Sequence, residues 1–91
     1  MKEIDANQEV EKIMKLQQVE QHLKLYYSPV MDIGSADVLM TTLEVFFKMQ
    51  DLFPCPFYTK NDVLNILTKL CFRMFDMGEM QYEWAFCYED H

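Results

Sequence analysis

Glycine is nearly missing from this chain, with two in 91 residues, and proline occurs three times. Flexible linkers and low-complexity tracts draw on those residues, so the composition excludes a largely disordered polypeptide. Gly34 and Gly78 stand too far apart to build a phosphate-cradling loop. No apolar run approaches the roughly 20 residues that a membrane-spanning helix needs. The opening Met1 to Glu9 has no apolar stretch of the secretory kind, so export by that route is not expected. Bases are scarce: eight Lys and Arg against fifteen Asp and Glu leave a net charge of −7. That field repels phosphate backbones and anionic lipid, which argues against nucleic-acid binding and against membrane attachment.

Cysteine is sparse as well. Cys55, Cys71 and Cys87 are odd in number and widely spaced, and only His91 lies near any of them. The paired Cys and His spacing of a structural zinc site is not present, so neither metal nor cofactor is expected. The three read as free thiols of a reducing, cytoplasmic compartment. The internal histidine, His22, has no nucleophile within sequence reach, and fifteen acids make chance carboxylate pairs uninformative. The chain is therefore read as non-enzymatic.

What the chain does hold is apolar surface, at 51% hydrophobic and 14% aromatic residues, which suits one core in a single domain spanning 1–91. Val10, Ile13, Leu16, Val19 and Leu23 recur at three- and four-residue steps and predict a helix over 7–27, stopped by Ser28-Pro29. Ser35 reads as the cap of a second helix over 36–50, with Asp37 in its first turn. Two prolines make 52–58 an ordered aromatic loop. Thr59 with Asp62 caps a third helix over 60–75, striped by Val63, Ile66, Leu67, Leu70 and Met74. Met77, Met80, Trp84, Cys87 and Tyr88 continue at helical spacing, so the expectation is either a short fourth helix over 78–88 or a third helix extended past Gly78. The predicted fold is all-α, a small bundle of three or four helices with an ordered Pro and aromatic loop.

Two stretches resemble known families. Leu43 and Phe47 ahead of Asp51, the 12-residue span Asp51 to Asp62, and Val63, Ile66, Leu67 and Leu70 behind it resemble one EF-hand. Phe53, Cys55 and Pro56 stand where that family has oxygen ligands and its central Gly, so the resemblance implies a calcium-blind hand. Ser35-Ala36-Asp37, with Pro54 nineteen residues later, resembles the middle of an acyl carrier protein, which would put phosphopantetheine on Ser35.

The composition points instead to an acidic protein-protein interaction module such as an adaptor, chaperone or phage or viral inhibitor. No Lys or Arg follows Arg73, while Asp76, Glu79, Glu83, Glu89 and Asp90 alternate with Met and aromatic residues. Interface cores enrich such residues, and surrounding charge selects the partner's sign. The candidate contacts are Phe46, Phe53, Phe57 and Tyr58 around the Pro loop and Met80, Tyr82, Glu83, Trp84 and Tyr88 in the acidic tail. The partner would offer a basic or apolar groove. Self-association is a second option, and a DNA mimic a third.

Overall fold

Tyr82, Trp84, Phe86 and Tyr88 stand at every second position, which is the period of a β-strand and not of a helix. In the computed structural model, which describes residues 6–89, that segment is the central strand of an antiparallel sheet. The fold is α+β, so the all-α bundle is overturned. Helix α1 (Ala6–Tyr26) leads into strand β1 (Tyr27–Pro29). A 3-10 turn (Ile33–Ser35) precedes strand β2 (Val38–Met40), helix α2 (Thr42–Leu52) and helix α3 (Lys60–Lys69). A hairpin of β3 (Arg73–Asp76) and β4 (Tyr82–Tyr88) closes the chain. The acidic tail's Asp90 lies outside the described residues.

The register fixes what each strand does. Met40 and Met74 both stand opposite Trp84, and Leu39 and Arg73 both stand opposite Ala85, so β2 and β3 flank β4 on opposite edges. Tyr27 stands opposite Tyr88 and Pro29 opposite Phe86, which sets β1 end to end with β3. Alternation then divides the sheet into two faces. Trp84, Phe86 and Met40 join one apolar cluster with Val19 and Leu23 of α1, Val45 and Met49 of α2, and Val63, Ile66 and Leu67 of α3. All three helices therefore cover that face. The overall extent of 44 × 36 × 21 Å is about two layers thick, a sheet under helices some 10 Å across.

Three local signals explain where the expected helices stop. The second does not start at Ser35. Its cap is Thr41, whose Oγ1 accepts from the Glu44 amide at 3.1 Å while Glu44 accepts from the Thr41 amide at 2.9 Å. That reciprocal pair satisfies two donors and starts α2 at Thr42. Upstream, the Asp32 carboxylate caps the 3-10 turn and holds the Ser35 amide and hydroxyl. Asp37 faces no helix dipole; it accepts from the Tyr88 amide at 2.9 Å and from the Cys87 thiol. Those bonds hold its carboxyl below the usual range, the Tyr88 amide contributing most, and the thiol's own bond to Asp37, with burial, pushes Cys87 up.

The third helix keeps its Thr59 and Asp62 capping box and then ends at Lys69, six residues short of expectation. The Phe72 amide donates to the Leu67 carbonyl at 3.1 Å and the Cys71 amide to the Thr68 carbonyl at 3.0 Å. This is a Schellman termination, with Cys71 in the left-handed position at φ 68°. It turns Phe72 into the core, 6% exposed, and launches the hairpin. The short fourth helix is thus strand β4.

Between α2 and α3 the prolines do keep the chain out of a helix. The Gln50 side chain bonds both the amide and the carbonyl of Cys55, at 3.2 and 2.8 Å, and the Tyr58 hydroxyl donates to the Phe53 carbonyl at 2.9 Å. α2 runs through Asp51, so the connection between helices is residues 53–59 and not the 12-residue loop of an EF-hand. Ser35 likewise opens no helix, unlike the carrier-protein serine it resembles. No helix among the described residues is long and apolar enough to cross a membrane.

Candidate functional site

Strand β4 is longer than the helical layer that covers it. Trp84 is 4% exposed, its indole N–H donating to the Thr42 hydroxyl at 2.8 Å, and Phe86 is fully buried between Tyr27 and Phe72. Two residues before Trp84 the same face runs out into solvent. Tyr82 is 47% exposed, Met74 on the adjacent strand 44%, and Met80 at the hairpin tip 85%. Exposed Met side chains of this kind are adaptable contact groups.

The tip is built, not frayed. The Met77 amide donates to the Gln81 carbonyl at 2.7 Å, the Gln81 amide to the Gly78 carbonyl at 3.0 Å, and the Gly78 amide to the Asp76 carboxylate at 2.9 Å. Gly78, Glu79 and Met80 all take positive φ, at 95°, 52° and 62°. Only the first of these positions is occupied by a residue without Cβ, so the turn holds two side chains in a conformation they ordinarily avoid. That places Met80 outward. Asp76 and Glu79 belong to the same turn, and Glu83, half-buried on the other face of the hairpin, accepts from the Gln81 side-chain Nε2 at 3.3 Å. The hairpin tip is consequently apolar and acidic together.

The remaining sequence candidates scatter. Tyr58 is 2% exposed and, like Trp84, belongs to the core. Burial, with Cys55 nearby, pushes the Tyr58 hydroxyl up to about 12, so it stays a neutral donor. Phe46 and Phe57 are half-buried against that core. Phe53 is half-buried with its ring 5.7 Å from His22. Tyr88 is 56% exposed but stands six residues along the strand from Tyr82, about 20 Å away. Met80 and Tyr82 meet at one end of the hairpin, whereas Glu83 stands opposite Phe75 on the other face of the sheet. Met74, opposite Trp84 on the Tyr82 face, completes the Met80 and Tyr82 surface, and the three-residue steps from Met74 through Met77 to Met80 disguise it as part of a helix stripe.

His22 marks a second, shallower surface. Its ring lies 4.7 Å from Tyr26 and 6.2 Å from Tyr27, in a groove completed by Gln18, Gln21 and Phe53. Burial, and then the Lys48 charge, lower its pKa below the ordinary 6.5. The unfolded chain therefore binds the proton more readily, so His22 makes stability fall as pH drops through about 6.5. Replacing His22 with Gln should flatten the decline in melting temperature between pH 7.5 and 5.5. An unchanged slope in the variant would assign that decline to other groups.

Among the described residues, no three His, Cys, Asp or Glu side chains converge as a metal site. No family model, no curated protein and no solved structure matches this chain.

Proposed function

We propose that this protein is a non-enzymatic binding module whose β3–β4 hairpin docks a basic, apolar segment of a protein partner. One observation carries the reading: an ordered turn holds Met80 85% exposed at the tip of the hairpin that also exposes Met74 and Tyr82, with Asp76 and Glu79 in the same turn. Monomers seldom expose clustered large apolar side chains without use for them. The acids supply long-range attraction and select a positive partner, while the Met and Tyr side chains supply the desolvated contact. A DNA mimic would need acids in an unbroken array, whereas here they alternate with Met and Tyr. Three free thiols, one of them buried, favour a reducing compartment such as the cytoplasm.

Nucleic acid is the competing occupant, because α2, α3 and the hairpin follow in the order of a helix-turn-helix with a hairpin behind it. The connection at 53–59 is longer than the usual three- to four-residue turn. Asp76, Glu79 and Glu83 on the hairpin would also repel a phosphate backbone.

Calorimetric titration decides between them. The probes are an amphipathic Lys/Leu peptide, the same peptide with Glu for Lys, and a DNA duplex. The Lys/Leu peptide should bind, and Glu79→Lys with Glu83→Lys should weaken it at least about tenfold, as should Met80→Ser with Tyr82→Ser. Equal binding of the Glu/Leu peptide, tighter binding of the duplex, or indifference to both double variants would overturn the reading.

A further inference from the structure

Helix α1 differs from the rest of the molecule in charge. Ala6–Tyr26 holds three acids (Glu9, Glu11, Glu20) and three lysines (Lys12, Lys15, Lys24), and so is neutral. Residues 27–89 hold nine acids and four bases. A second copy approaching this body meets like charge nearly everywhere except along α1.

The outward face of that helix is also uncharged. At 3.6 residues per turn, Val10, Met14, Gln17 and Gln21 fall within about 60° of one another, directly opposite the buried Val19 and Leu23. Val10 is 55% exposed and Met14 56%, with Ile13 beside them at 46%. A solvated helix face ordinarily carries charge; this one carries apolar and amide side chains over about 17 Å, from Val10 to Gln21. Its spacing of four, three and four residues is the seam spacing of paired helices.

We propose that two copies of this chain associate through α1, seam to seam and antiparallel. Charge chooses the direction. Centred between Lys15 and Leu16, antiparallel pairing brings Lys24 of each copy beside Glu9 of the partner subunit, on the same flank of the seam. Lys12 and Glu20 are already engaged within the chain, with Asp62 at 3.8 Å and Lys69 at 2.8 Å. Parallel pairing would instead face the Glu9 flank with the opposite flank, bringing Glu9 toward Glu11 of the partner subunit, and would give Lys24 no acid. The surface is separate from the hairpin, so dimerisation leaves Met80 and Tyr82 open, once in each copy.

Sedimentation equilibrium of the full chain tests this. The wild type should shift from 10.9 kDa toward twice that mass as concentration rises. Met14→Glu buries a carboxylate in the seam and should raise the dissociation constant at least about tenfold, whereas Phe47→Glu on α2 should leave it unchanged. Lys24→Glu should weaken the dimer and Glu9→Lys in the same chain restore it, which reads orientation without touching the apolar seam. That pair of variants keeps the test decisive if Met14→Glu fails to fold by circular dichroism. A wild type that stays monomeric to about 1 mM, a dimer indifferent to Met14→Glu, or a Lys24→Glu defect that Glu9→Lys does not rescue would overturn the proposal.

Discussion

Phe86→Ala should destabilise the fold by about 3 to 5 kcal/mol. The ring is fully buried on the central strand, 5.3 Å from Tyr27 and 5.0 Å from Phe72, and Val38 and Pro29 stand opposite it on the two neighbouring strands. Truncation therefore removes the contact that ties the end of α1 and the Schellman termination of α3 to the sheet. At roughly 0.05 to 0.15 kcal/mol per residue, a chain of this size holds about 5 to 14 kcal/mol in all, so the loss is a large share of it. Urea denaturation at 25 °C should show either a midpoint lowered by about a fifth or more, or no folded baseline at all. A loss below about 1 kcal/mol would mean that Phe86 does not fill the core and that the strand register is wrong.

The contrast between Phe86 and Trp84 on one side and Met80 and Tyr82 on the other separates what is legible in the amino-acid sequence from what is not. Local signals were legible: the Thr59 and Asp62 box starts α3, and two prolines keep 53–59 out of a helix. Long-range pairing was not. Val38-Leu39-Met40 is too short to declare a period, and only its partner β4 makes it a strand. The Thr41 and Glu44 box was present in the sequence and would have moved the start of α2, yet Ser35 offered a competing cap. In Tyr82–Tyr88 the period-two aromatics overlapped a helix-like spacing of Met77, Met80, Trp84 and Cys87. Both periods fit, and pairing with three other strands decides between them. The same ambiguity mixed core with surface in the candidate site. Helical spacing put Trp84 beside Met80, whereas the strand buries Trp84 under Thr42 and carries Met80 past the edge of the helices. On α1 the sequence displayed the apolar residues but not which of them would find a cover. Val19 and Leu23 are sealed by α2, α3 and the sheet, and Val10 and Met14 lie on the far side of the same cylinder.

Leu67→Ala tests the other layer, and its expected cost is about 2 to 5 kcal/mol. Leu67 is fully buried on α3, in the same cluster as Val19, Leu23, Trp84 and Phe86. Because one apolar cluster serves both layers, a cavity on the helix side should weaken the sheet side equally. The chain carries its own reporters. Trp84 is the single tryptophan and sits on β4, so its fluorescence follows the sheet, while far-ultraviolet circular dichroism follows mainly the three helices. In Leu67→Ala both signals should shift to the same lower urea midpoint with an unchanged slope, as one cooperative unit requires. Separate midpoints would show that helices and sheet unfold independently, and the hairpin could then keep its binding geometry after the helical layer had melted. Coincident midpoints would instead make the exposed Met80 surface depend on the packing of Leu67, which it does not touch, because the hairpin is anchored through Trp84 and Phe86 to the core that Leu67 helps to fill.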